Sequence, residues 1–264
     1  MNELALFAGA GGAILGGKLL GWRTVCAVEW EAYPASVLCA RQNEGILESF
    51  PIWDDIQTFD ARPWRGIVDV VSGGFPCQDI SAGGKGEGID GERSGMWKEM
   101  VRVIHEVQPR FVFVENSPML VSRGLGRVLG DLASMGFDAK WGVLGAADVG
   151  ANHQRDRIWI VAENVSNSDC GLRGGRGAVG QGGGDSIGGL HPEKTQQTKY
   201  DLWCEAFGCD PVRREKEKQS SWWKVEPNLD RVVDGMAARV DRLKAIGNGQ
   251  VPLCAATAWR VLTK

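Results

Sequence analysis

Short apolar runs alternate with stretches of helical spacing from the N-terminus to about residue 164. Leu4-Ala5-Leu6-Phe7 reads as a strand, Gly9 to Gly12 as a turn, and Ala13 to Leu20 as a helix ended near Gly21. Thr24 to Val28 is a second strand and Glu31 to Asn43 a second helix. The run Ile67-Val68-Asp69-Val70-Val71 predicts a buried parallel strand over Val68 to Ser72, which Gly73-Gly74 ends. Met96, Met100, Val103, Ile104 and Val107 fall on one helical face. Phe111 to Val114 then reads as a strand, Leu120 to Met135 as a helix and Ile158 to Val161 as a late strand. This alternation predicts an α/β fold: a mostly parallel sheet covered by helices on both faces.

The texture changes near Asn164. From Ser166 to Gly189 the chain is rich in glycine, serine and arginine and reads as loop. Tyr200 to Phe207 and Trp222-Trp223 supply apolar anchors for a small second lobe. Regular structure resumes around Val232 and ends in an apolar, alanine-rich helix from Val251 to Leu262. Three regions follow: a main domain over 1–164, a short region over 165–230, and a segment over 231–264 that returns to the main domain.

Composition narrows the class. The chain has 264 residues, 43% hydrophobic and 24% charged, with a net charge of −3. That balance belongs to an ordinary soluble protein and argues against one that coats nucleic acid nonspecifically. The N-terminus shows no basic region leading into an apolar core, so a cytoplasmic protein without a membrane span is expected. Seven scattered cysteines and three histidines form neither a disulfide framework nor a metal set, so no metal is expected. The basic cluster Arg213-Arg214 and Lys216 to Lys218, broken by Glu215 and Glu217, fits a solvated helix face or a phosphate contact.

Candidate chemistry gathers where strands end, the place where open α/β sheets bind ligands. Phe7-Ala8-Gly9-Ala10-Gly11-Gly12 lets a backbone approach a ligand closely, without the lysine of a phosphate-binding loop. Glu29 suits a ribose diol and Trp30 a stacked purine. Asp54-Asp55-Ile56 follows the third strand, where a second acid suits an adenine amino group. Together these describe an adenosine pocket without a phosphate-binding lysine, which favours S-adenosylmethionine over a nucleotide. Cys77, after Pro76, is a candidate nucleophile, and Glu115 ends another strand. Arg155 and Arg157 alternate on an extended segment, so they project together, as a surface charge ladder or onto a ligand.

In order along the chain, the glycine turn, Glu29-Trp30, Asp55-Ile56, Pro76-Cys77-Gln78, Glu115-Asn116, Arg155-x-Arg157 and Gly247-Asn248-Gly249-Gln250-Val251-Pro252 resemble the motifs of the DNA (cytosine-5)-methyltransferases. The resemblance runs from residue 3 to the end, apart from about 165 to 230. It departs at Ala5, where the family has an acidic or small polar residue, and at His153, where it often has glutamine.

The resemblance implies a Rossmann-like, class I S-adenosylmethionine-dependent sheet with a small target-recognition lobe over 165–230. It implies methyl transfer to carbon 5 of a cytosine flipped out of double-stranded DNA, with Cys77 adding to carbon 6 and Glu115 assisting at ring nitrogen 3. It carries Arg157 to the cytosine carbonyl edge and Arg155 to the catalytic loop. Phe7, Gly9, Gly11, Glu29, Trp30, Asp55, Ile56, Pro76 and Asn248 would line the cofactor site. The glycine-rich stretch from Gly83 to Gly95 would close over the base, with Lys85 and Arg93 on phosphates. A monomer is expected, paired or not with a restriction endonuclease on a separate chain. A tRNA cytosine methyltransferase and a noncatalytic DNA-binding relative are the alternatives.

Overall fold

A computed structural model describes residues 1–76, 96–165 and 239–264. Cys77, the stretch from Gly83 to Gly95 with Lys85 and Arg93, the basic cluster around Arg213, and the recognition region beyond Val165 lie outside the described residues.

Among the described residues seven strands form one sheet, in the order β3-β2-β1-β4-β5-β7-β6. They are β1 (Asn2–Leu6), β2 (Arg23–Val28), β3 (Ile52–Trp53), β4 (Val70–Gly73), β5 (Phe111–Asn116), β6 (Phe137–Leu144) and β7 (Arg157–Asn164). β1 to β5 pair in parallel, and β7 runs antiparallel to both β5 and β6. The helices are α1 (Gly12–Leu19), α2 (Ala32–Asn43), α3 (Met96–Val107), α4 (Leu120–Arg123), α5 (Leu125–Ser134), α6 (Arg239–Asn248) and α7 (Pro252–Leu262). The expected α/β architecture is therefore present.

Alternation along each strand sorts the core onto two faces. Leu4, Leu6, Val71, Val112 and Val114 meet Trp97, Met100, Ile104, Val128 and Leu132 of α3 and α5. On the other face, Ala5 and Ala27 pack with Ile14 and Leu38, and Phe111, Phe113 and Trp159 pack with the α7 residues Ala255, Ala258 and Trp259. Trp259 stands edge-on to Trp22 with ring centroids 4.6 Å apart, and Phe113 stacks on Trp159 at 5.4 Å. These rings dock the C-terminal helix onto the sheet.

The fold departs from the sequence reading in three places. The helix expected from Leu120 to Met135 breaks at Gly124, where φ is 165°, into α4 and α5. Glycine's low helix propensity lets the chain extend there. The sequence pattern marks no element over β6. It is an edge strand whose polar positions Asp138 and Lys140 face outward, so its apolar content is diluted. The late strand is also longer than expected, from Arg157 to Asn164, because antiparallel pairing with β5 and β6 extends it at both ends.

Candidate active site

The parallel strands deliver their C-terminal ends to a single cavity of about 910 Å3. Phe7, Gly9, Glu29, Trp30, Asp55, Ile56, Pro76 and Asn248 line it, and so do Glu115 and Arg157. Gly11 does not: a side chain there would strike Leu38 of α2 at 2.8 Å, so its φ of +87° serves the turn. Arg155 is also absent from the lining among the described residues.

The adenosine-side residues are held by backbone. Phe7, at φ +51°, and Gly9, at φ +55°, turn the chain sharply after β1. A Cβ on Gly9 would meet nothing within 4 Å, so the glycine leaves open space facing the cavity. One oxygen of Glu29 accepts the Gly9 N–H at 2.6 Å and the other accepts the Glu31 N–H at 2.8 Å. Burial pushes the Glu29 carboxyl up, against the pull of these two N–H groups. Each oxygen keeps one lone pair for a ligand. Trp30 is 74% exposed, a free ring at the cavity mouth. The turn carrying Asp55 and Ile56 is pinned from α3: Arg102 donates to the Ile56 carbonyl at 2.6 Å and to the Phe59 carbonyl at 3.0 Å.

The lining carries five carboxylates (Glu29, Glu31, Asp54, Asp55 and Glu115), and Arg157 is its one cation among the described residues. Arg157 is paired with Glu115 at 2.8 Å and the nearby Lys244 with Glu31 at 2.6 Å, so among the described residues the lining offers a polyphosphate no spare cation and suits a neutral or cationic ligand. The adenosine moiety and sulfonium of S-adenosylmethionine fit this donor set.

At the far end, β4 and β5 are neighbours, with Gly73 opposite Val114. Glu115 therefore lies beside the turn that leads through Pro76 to Cys77. That turn is anchored at its base. Asn116 donates its side-chain amide to the Phe75 carbonyl at 3.1 Å, and the Phe75 ring packs on Trp97 at 5.2 Å. Arg157 Nε meets Glu115 Oε1 at 2.8 Å, and their side chains are 29% and 12% exposed. Gln250 Nε2 donates to Glu115 Oε2 at 3.1 Å. Burial pushes the Glu115 carboxyl up from the ordinary glutamate range, against the Arg157 charge, the Gln250 hydrogen bond and the Arg155 charge. A carboxyl raised in this way keeps its proton to higher pH than an exposed glutamate does, as a proton donor requires.

Arg155 acts on the backbone. Its Nη2 donates to the carbonyls of Gly247, at 2.6 Å, and Gly249. The catalytic loop assigned to it by resemblance lies outside the described residues. The described cysteines are poor nucleophiles or lie elsewhere: burial pushes Cys26 up to about 11 and Cys254 up to about 12, and Cys39 is exposed on α2. Sequence reasoning missed Gln250 and Asn116 as individual site residues, although both stand within motifs it had singled out. Among the described residues no group of acids, histidines and cysteines could hold a metal ion, and no helix is long and apolar enough to cross a membrane.

Comparison with known proteins follows the same lines. The type II methyltransferase M.PspPI of Psychrobacter is 38% identical over 125 residues, 47% of this chain and 29% of that protein. M.Eco47II of Escherichia coli is 33% identical over 170 residues, 60% of this chain and 38% of that protein. The chain thus spans less than half the length of these two curated relatives. Two solved structures share the fold. One is a candidate DNA modification methyltransferase encoded within an E. coli prophage, with a TM-score of 0.52 and 23% identity, covering 63% of this chain and 47% of that one. The other is the S. pombe Dnmt2 methyltransferase, with a TM-score of 0.50 and 20% identity, covering 62% and 50%. A family model, C-5 cytosine-specific DNA methylase, matches residues 1–199, three quarters of the chain, and to that family this protein belongs.

Proposed function

We propose that this protein transfers a methyl group from S-adenosylmethionine to carbon 5 of a cytosine flipped out of double-stranded DNA, through a covalent adduct on Cys77. The observation that carries this reading is the single cavity joining Glu29, Trp30 and Asp55 at one end to Glu115 and Arg157 at the other. A cofactor and a base held there would face each other.

Carbon 5 of cytosine is a weak nucleophile, and covalent addition at carbon 6 overcomes this. The Cys77 thiolate adds to carbon 6, and Glu115 donates its proton toward ring nitrogen 3, which makes carbon 5 an enamine carbon. S-adenosylmethionine supplies an electrophilic methyl group on a sulfonium. After transfer, carbon 5 gives up its proton to solvent, Cys77 is expelled as thiolate, and ring nitrogen 3 returns its proton to Glu115, restoring the ring and the acid. Arg157, paired with Glu115, would meet the cytosine carbonyl edge. The target carbon is inaccessible within a duplex, so the base leaves the stack first. The type II names of the relatives support a place beside a restriction endonuclease on a separate chain.

The test is bisulfite sequencing of DNA from bacteria without cytosine methylation of their own, expressing either this chain or Cys77→Ala. Protected cytosines in a fixed context, lost in the variant, are expected. Soluble wild-type protein that leaves DNA unprotected but methylates tRNA would replace DNA with RNA as the substrate. Residual turnover in Cys77→Ala would remove Cys77 from the reaction.

A further inference from the structure

Glu115 has two oxygens and two partners from distant parts of the chain. Arg157, from β7, takes Oε1 at 2.8 Å, and Gln250, from the segment between α6 and α7, takes Oε2 at 3.1 Å. A carboxylate offers about four lone-pair directions. With one on each oxygen occupied, the carboxyl plane is fixed and the remaining lone pairs are set in direction.

The placement of Gln250 is built in from three sides. Gly12, at the start of α1, lets the Gln250 backbone pass: a Cβ there would lie 2.2 Å from the Gln250 carbonyl oxygen. Gly74, on the turn toward Cys77, leaves room for the contact itself. A Cβ at Gly74 would lie 2.6 Å from Glu115 Oε2 and 2.7 Å from Gln250 Nε2. Arg155 ties down the residues just before, through the Gly247 and Gly249 carbonyls. Two glycines and an arginine thus bring one amide to one carboxyl oxygen.

We infer that Gln250 is a positioning residue for methyl transfer, whose side-chain amide holds Glu115 in the orientation from which it delivers its proton to the target base. This rests on the reaction proposed above. Arg157 alone leaves the carboxyl free to turn about the bond it does not hold, and Gln250 removes that freedom. The amide also ties the acid to the segment just after Asn248, the last residue of α6, which lines the same cavity.

The experiment compares wild type with Gln250→Leu and Gln250→Glu. Single-turnover methyl transfer is followed as a function of pH, on duplex DNA carrying the context mapped by bisulfite sequencing, and the KM for S-adenosylmethionine is measured alongside. Loss of a hydrogen bond to an ionisable group predicts a rate lower by on the order of tenfold to a hundredfold in Gln250→Leu, with cofactor KM changed by less than about twofold. Gln250→Glu keeps the shape, so it controls for folding. It is expected to be slow at neutral pH and to recover toward the wild-type rate, compared at the same pH, as acidification protonates the new carboxyl and lets it donate an O–H in the amide's place. Gln250→Leu shows no such recovery. Two folded variants with wild-type rates and pH profiles overturn the role of Gln250. So does an equal loss in both that does not depend on pH, because that is the mark of a packing role. A wild-type protein that methylates no cytosine overturns the underlying reaction instead, and the wild-type arm shows this before either variant is compared.

Discussion

Glu3 is a buried carboxyl that the proposed reaction does not use. It is 1% exposed, on the sheet face beneath α1, and accepts the hydroxyls of Ser72 at 2.6 Å and Thr24 at 2.8 Å. One side chain on β1 thereby ties β2 and β4 together. Burial pushes its carboxyl up, and the two hydroxyls only partly oppose this. A raised carboxyl stabilises the fold fully below its unfolded value, and that contribution is lost as pH rises through the folded value. Glu3→Gln keeps the shape without a titrating proton. It is expected to melt higher than wild type at about pH 8, with the difference shrinking toward about pH 5. Thermal melts across that range check this, and a difference independent of pH would refute it. The contrast with Glu115 is instructive. Both carboxyls are raised by burial, but Glu3 meets only hydroxyls, whereas Glu115 meets an arginine and an amide at the edge of a cavity. Glu3 is enclosed between strands, whereas Glu115 lines the cavity.

At the scale of elements, the glycines of α1 show how helix contacts shape the site. Gly12 and Gly16 lie one turn apart, on the side facing the start of α7. A Cβ at Gly16 would meet the Ala255 Cβ at 2.7 Å and the Pro252 carbonyl oxygen at 2.9 Å. Within the turn Gly9 to Gly12 that the sequence marked, Gly9 faces the cavity, Gly11 packs against Leu38 of α2, and Gly12 lets the Gln250 backbone pass. Gly16→Ala is expected to destabilise by about 1–3 kcal/mol, as overpacking does. A Cβ at Gly130 of α5 would meet nothing within 4 Å, so Gly130→Ala is expected to stabilise by about 0.5–1 kcal/mol. Denaturant unfolding of both variants checks the opposite signs. α3 is the element read best from sequence. It is helical from the first described residue of its segment, Met96, and ends at Val107 as expected, because a strongly two-sided pattern survives any partner, although Trp97 joins the buried face and Met96 stays half-buried.

At the scale of the molecule, the sheet order brings β1, β2, β4 and β5 side by side, so residues from 7 to 115 meet at one edge. The C-terminal segment then crosses the whole chain length to close that edge. We expect chemistry and target choice to separate along the chain. Replacing residues 165–230 with the corresponding segment of a relative is expected to change the methylated context and leave methyl transfer intact. Bisulfite sequencing of host DNA reads this directly, and an unchanged context would place recognition elsewhere.

The sequence by itself determined the α/β class and the strand ends where chemistry gathers, because period-two and helical spacing are local properties of the chain. It also supplied the acids, the arginines and the C-terminal motif as an ordered set. Tertiary structure alone decided which of these touch. No spacing relates Gln250 to Glu115, 135 positions apart, or Arg155 to the carbonyls of Gly247 and Gly249. Those contacts exist because α7 packs through glycine onto α1 and through Trp259 onto the sheet. The strand at Ile158 to Val161 was legible, but its reversed direction was not, since an apolar run carries no direction. Its antiparallel pairing with β5 sets Arg157 beside Glu115, and so gives the cavity the charged pair on which the proposed reaction depends.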